Sequence, residues 1–175
     1  MKQILVFCCL FLFVCSPSLA ERAFRVGVAL PLTGVGAPYG EAYKNGLLLG
    51  LREGNKHVKL EFEDHQYDNK KALSAVRKLS DLDKVDLIVV WGYAPSDAVA
   101  PIVSSLRPPV LLGSVNPVGR GTAKIFNLSS PISETLQPLL AYLQRKDWKS
   151  ITILSSQIGS LTQTAETLKD GLPTV

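Results

Sequence analysis

The residues best placed to meet a ligand lie in three short stretches, PLTGVGAPYG (31–40), WGYAPSD (91–97) and GSVNPVG (113–119). Each joins small residues, whose backbone N–H groups a ligand can approach, to a hydroxyl or an aromatic ring. The side chains and amides so marked are Tyr39 in the first, Tyr93, Ala94, Ser96 and Asp97 in the second, and Ser114 and Val115 in the third. Such groups hold a molecule by hydrogen bonds and ring contact. They are poorly suited to changing it, because no nucleophile stands beside a base and no metal-ligand spacing is present. His57 and His65, the only histidines, flank a strand outside these stretches and read as surface residues. The reading is a binding protein with no enzyme activity, cofactor or metal.

A glycine-rich turn between a strand and a helix also has a nucleotide reading. The dinucleotide fingerprint places three glycines as G-x-G-x-x-G before a helix whose N-terminus faces a pyrophosphate. Gly34 and Gly36 fit, Tyr39 occupies the third place, and Gly40 comes one residue late. Asp64, closing the next strand, stands where a ribose-binding carboxylate would sit, so an NAD-type enzyme stays as a lesser alternative. A phosphate P-loop lacks its Gly-Lys-Ser/Thr.

The elements that carry these stretches alternate. FRVGVALP (24–31) reads as a strand and YGEAYKNGLLLGLREGN (39–55) as a helix. HVKLEFED (57–64) alternates apolar Val58, Leu60 and Phe62 with polar neighbours, a strand period. NKKALSAVRKLSDLD (69–83) returns to helical spacing, and VDLIVVWG (85–92) is a continuous apolar run, as in a strand covered on both faces. The helix 95–106, the strand 109–113 and an edge or connecting strand at 124–129 follow. Then come a helix over 133–147, a buried strand over 149–156 and a helix over 160–172. This alternation predicts an α/β fold with a doubly wound parallel sheet and right-handed crossovers. The last strand and its two helices read as the opening of a second α/β lobe.

The first 20 residues, MKQILVFCCLFLFVCSPSLA, have the layout of a cleavable signal peptide: Lys2, an apolar run from Ile4 to Cys15, then small Ser18 and Ala20. The run is short of the roughly 20 residues a spanning helix needs, and bulky Val14 before Cys15 disfavours a lipoprotein site. All three cysteines, Cys8, Cys9 and Cys15, lie in this leader, so no disulfide is available to the rest and its core alone must stabilise it. Overall 19 Lys and Arg stand against 15 Asp and Glu, a net of +4. These charges are scattered and mixed in sign, without the clustered cations and stacking rings of a nucleic-acid surface.

VGVALPLTGVGAPYGEAYKNGLLLGL resembles the start of type I periplasmic binding proteins, specifically the branched-chain amino-acid (Leu/Ile/Val) substrate-binding subfamily of ABC importers. EFEDHQYDNKKALSAVRKL is similar to that subfamily's D-x-x-Y-D segment, and GSVNP to its short loop ending in Asn-Pro. The resemblance spans Phe24 to Leu172. It implies a signal peptide over 1–20, an N-terminal ligand-binding lobe over 21–127 and an incomplete start of the second lobe over 128–175, with the hinge crossing near Lys124–Leu128. It implies a protein of the periplasm that captures a small polar molecule, such as an amino acid or amide, between two lobes. The partners implied are that ligand and an inner-membrane ABC permease, with no nucleic acid and no stable membrane insertion after cleavage. A half-length binder that senses a ligand without transport is the alternative.

The same resemblance places Tyr39 at the mouth of the cleft, where it either touches the ligand or packs onto its own helix. It places Tyr93, Ala94, Ser96 and Asp97 in the loop whose hydroxyls and N–H groups take the ligand's carboxylate. Asp97 would repel such a carboxylate, so it reads as a helix N-cap or as the partner of a cationic ligand group, with the cap preferred. Ser114 and Val115 fall in the third loop, Val115 where the amino-acid binders carry a threonine.

Overall fold

The structure is a computed structural model that describes residues 22–54, 57–114, 121–146, 148–155 and 159–172. The proposed leader and Val115 therefore lie outside the described residues. Five strands form one parallel sheet: β1 Phe24–Leu30, β2 Val58–Asp64, β3 Leu87–Val90, β4 Val110–Leu112 and β5 Ile125–Asn127. Their spatial order is β2-β1-β3-β4-β5. The predicted α/β class and parallel sheet are thus present, with 124–129 as an edge strand.

Helices cover both faces because the strands are apolar on both. Val26, Val28, Leu30 and Val89 face one side and pack with Tyr43 and Leu47 of α1, Ala37–Gly54. Ala29, Ile88, Val90, Val110 and Leu112 face the other side. There they meet Ala72, Ala75 and Val76 of α2, Asn69–Arg77, and Val99 of α3, Tyr93–Val99. The alternation of Val58, Leu60 and Phe62 along β2 turns these three toward the α1 side.

Two helices end earlier than their periodicity predicts. The chain after α2 widens into a π turn over Lys78–Leu82, which sets Leu79 on the sheet directly above Gly27. A Cβ on Gly27 would lie 2.9 Å from the Leu79 side chain, so the small residue in β1 makes room for the large one. The chain after α3 tightens into a 3₁₀ segment over Ala100–Ser105. Pro101 has no N–H to continue the α-helical bonding, which accounts for the change.

Past the sheet, the helix expected over 133–147 is two short ones, α4 Ile132–Thr135 and α5 Gln137–Gln144, with Pro138 in the first turn of the second. α6 follows at Gly159–Asp170. The strand expected over 149–156 is a correction: residues 151–155 have no regular structure and are exposed. No described strand runs alongside, so the main-chain groups of Ile151–Ser155 have no ladder to join.

Candidate functional site

The C-terminal ends of all five strands converge on one concave opening of about 500 Å³. Tyr39 and Tyr43 come from α1 after β1, and Tyr67 from the turn after β2. Trp91, Gly92 and Tyr93 follow β3, Gly113 follows β4, and Leu128 and Ser129 follow β5. In an open parallel sheet ligands collect at this edge, at the point where the strand order reverses. Here that point lies between β1 and β3, whose crossovers leave toward opposite faces. A second concavity of about 490 Å³ lies away from this edge, between α5, α6 and the exposed 148–153 stretch.

Trp91 is the centre of the aromatic wall. Tyr39 stacks on it with ring centroids 5.9 Å apart and planes 18° apart. Tyr67 meets it edge-on at 6.2 Å, and Tyr43 lies tilted at 6.4 Å. Burial holds the phenols of Tyr43 and Tyr67 above their ordinary titration range, so both stay neutral. None of the described residues lining the opening carries a formal charge. Its polar side-chain groups are phenols, the Trp91 indole N–H and the Ser129 hydroxyl, alongside backbone.

The glycine-rich turn is built for close packing. Gly34 has φ +78°, in the left-handed region. A Cβ on Gly40 would fall 2.1 Å from the carbonyl oxygen of Pro31, so α1 can lie this close to the end of β1 only with glycine there. The amides of Ala37, Tyr39 and Gly40 donate to the carbonyls of Gly34 and Gly36. The groups that would face a pyrophosphate are returned to the loop's own backbone.

Asp64 organises the same loop. Its carboxylate accepts from the amides of Leu32 (2.8 Å), Thr33 (3.3 Å) and Gln66 (2.9 Å) and from the Thr33 hydroxyl. Partial burial raises its pKa, but these four hydrogen bonds outweigh that and leave it below the ordinary carboxylate value. The carboxylate that a dinucleotide site would aim at a ribose is bound into the turn.

His65 is not the surface residue its position suggested; it is fully buried. Its Nδ1 accepts the Tyr67 amide at 3.0 Å, and its Nε2 lies 3.0 Å from the Trp91 carbonyl oxygen. With Nδ1 accepting, the neutral ring carries its proton on Nε2, which donates to Trp91. Burial holds the imidazole below its ordinary pKa despite these contacts. His57, the other histidine, is exposed as expected.

The marked residues occupy two layers. Tyr39 and Tyr93 line the opening, 65% and 38% exposed. Ala94 is half-buried in the first turn of α3. Ser96 and Ser114 lie beneath, fully buried. The Ser96 hydroxyl donates to the Val90 carbonyl (3.2 Å) and accepts the Gly113 amide (3.1 Å), tying β3 to β4 below the opening. The N-cap reading of Asp97 is corrected: Gly92 holds the N-cap position and Asp97 is the fifth residue of α3. Its carboxylate accepts the Ser114 hydroxyl, so the helix side chain braces the end of β4. Among the described residues no three His, Cys, Asp or Glu side chains group as a metal site. Trp91, Tyr43 and Tyr67 were not singled out from the sequence. A ring directly after an apolar strand was the available signal for Trp91, and the D-x-x-Y-D segment for Tyr67.

A doubly wound sheet with an aromatic-walled opening at its C-terminal edge is the build of an α/β binding domain. The family described as periplasmic binding protein matches residues 23–173, and the chain belongs to it. Several solved ABC-transporter solute-binding proteins share the fold. One from R. palustris, solved with 4-hydroxybenzoate, superposes with a TM-score of 0.74 at 20% identity over 85% of this chain and 43% of its own. A leucine-binding protein from Thermotoga maritima gives 0.63 at 21% identity, over 70% of this chain and 37% of its own. A branched-chain amino acid transporter binding protein from Streptococcus pneumoniae, solved with isoleucine, gives 0.63 at 20%, over 71% and 39%. The chain spans less than half the length of these proteins. Comparison with curated protein sequences gave no match.

Proposed function

We propose that the chain is the ligand-capturing lobe of an extracytoplasmic solute-binding protein that serves an ABC importer. The observation that supports this best is the convergence of all five strand ends on one concave, aromatic-walled opening. Family membership points the same way. Among the described residues no helix is long and apolar enough to cross a membrane. Export by the leader and delivery to an inner-membrane permease complete the reading.

The lobe spans 21–127 and the second lobe begins at 128. The amide of Leu128 to the carbonyl of Leu112, at 2.8 Å, is the last main-chain bond to the sheet among the described residues, which supports a hinge crossing at Lys124–Leu128. Closure of a second lobe over the opening would trap the ligand between two sets of contacts. The ligand is a small polar molecule, an amino acid or an amide; the uncharged lining equally accommodates an aromatic acid through its ring.

Isothermal titration with branched-chain amino acids, short amides and hydroxybenzoates tests this. A member of the panel should bind, and Trp91→Ala should weaken it by about tenfold, the value of a good ring contact. Trp148→Ala, away from the opening, should leave it unchanged. Binding of the panel's hit that is indifferent to Trp91 would remove the opening as the site.

A further inference from the structure

The aromatic wall is assembled from separate loops, and His65 joins two of them. Tyr67 follows β2 and Trp91 follows β3, strands that are not neighbours because β1 lies between them. No ladder bond joins them directly: the His65 amide donates to the Leu30 carbonyl and the Trp91 amide to the Ala29 carbonyl, so main-chain bonds tie each to β1 but leave the Tyr67 turn to be held to Trp91 by other contacts. The buried imidazole spans that gap with both ring nitrogens engaged, the Tyr67 amide on Nδ1 and the Trp91 carbonyl on Nε2. The turn it holds is an uncommon one: Gln66 and Tyr67 both have positive φ, 51° and 61°. Two non-glycine residues in the left-handed region persist only where surrounding contacts over-determine them. The Tyr67 ring so placed lies over Gly92, where an added Cβ would come within 2.7 Å of its Cε2. It thus lines the opening beside Trp91, edge-on to it.

We infer that His65 is a positioning residue of the binding site: by bridging the Tyr67 amide and the Trp91 carbonyl it holds the Tyr67 ring edge-on against Trp91, and with it the shape of the aromatic wall that a ligand meets. This rests on the opening being the ligand site, but the geometry itself reads out without any ligand. A side chain that merely filled volume would leave ring geometry intact on replacement by an apolar group of similar size. A bridging imidazole would not.

The test uses a Trp148→Phe background, so that Trp91 is the only tryptophan, and compares His65→Met and His65→Gln by near-UV circular dichroism and acrylamide quenching. Methionine keeps volume without the hydrogen bonds. Glutamine's terminal amide falls where Nε2 does and can still donate to the Trp91 carbonyl. The expected result is that His65→Met loses about a third of the Trp91 near-UV signal and raises its quenching constant by a similar fraction, as a ring that has lost Tyr67 but keeps Tyr39 and Tyr43 would. His65→Gln should recover most of both, with far-UV spectra unchanged throughout. Trp91 signals in His65→Met identical to the parent would overturn the assignment. So would a loss in His65→Met that glutamine fails to recover at all. If His65→Met does not fold, His65→Gln, which keeps only the Trp91 contact, is compared with His65→Asn, whose side-chain oxygen falls where Nδ1 does and keeps only the Tyr67 contact: each should alter the Trp91 signals in part, and parent-like signals in both would overturn the bridge. Absence of ligand binding with these spectral shifts intact would sink the binding reading while leaving the bridge standing.

Discussion

At the scale of single residues, the groups that look like chemistry are mostly committed to architecture. Asp64, Ser96 and Asp97 each spend their oxygens on neighbouring loops, and His65 spends both nitrogens. Two consequences follow for stability. Asp64 and His65 both titrate below their ordinary values in the folded chain. The unfolded chain therefore binds more protons as pH falls, and stability drops with acid: first through His65 below about pH 6.5, then through Asp64 below about pH 4. Thermal melts from pH 8 to pH 3 should show both declines, and His65→Gln should lack the upper one. A melting temperature that is flat between pH 7 and pH 5 would contradict this. The glycines give a sharper case. Gly40→Ala drives a methyl group into the Pro31 carbonyl. Overpacking of this kind typically costs about 1–3 kcal/mol, and urea denaturation should show a loss of unfolding free energy of that size. Gly46→Ala, with open space around it, should be neutral or slightly stabilising.

At the scale of elements, position in the sheet decides what a strand residue is worth. Ile88 on β3 is fully buried between strands on both sides, whereas Phe126 on edge strand β5 is 53% exposed. Ile88→Ala should destabilise by about 2–5 kcal/mol through lost burial and a residual cavity. Phe126→Ala should stay within about 1 kcal/mol in the same denaturation experiment, since surface substitutions away from special features have small effects. A similar cost for both would mean that β5 carries more of the core than its exposure indicates. The prolines act at this scale too. Pro101 and Pro138 fall inside helical periodicities and divide them, which is why the 95–106 and 133–147 segments each appear as two pieces.

At the scale of the whole molecule, the apolar surface is unevenly distributed. The 22–128 portion buries a core on each face of its sheet, while Trp148, Ile151, Ile153 and Leu154 are 37–98% exposed on a contiguous stretch. Contiguous exposed apolar surface favours self-association. Sedimentation of the chain should therefore show mass rising with concentration, and Ile151→Ser with Ile153→Ser should suppress that rise. Association unaffected by the pair would locate the contact elsewhere, with exposed Leu48 and Leu49 on α1 the next place to look.

The sequence by itself determined the alternation of strands and helices, the parallel sheet and the three loops at its C-terminal edge. Those rest on local signals: apolar period, proline and glycine positions, and the continuous apolar run of β3. The placement of Tyr39 and Tyr93 at the opening was legible for the same reason, since Tyr93 sits just past the end of β3 and Tyr39 at the start of the helix that follows β1. Only the tertiary structure decided that His65 is buried, that Asp97 faces Ser114 instead of capping its helix, and that Tyr43 and Tyr67 share a wall with Trp91. Each of these is a contact between segments that follow different strands, fixed by strand order and not by spacing along the chain. The same dependence explains residues 151–155, whose apolar pattern is that of a strand but which are a strand only where another lies beside them to take their hydrogen bonds.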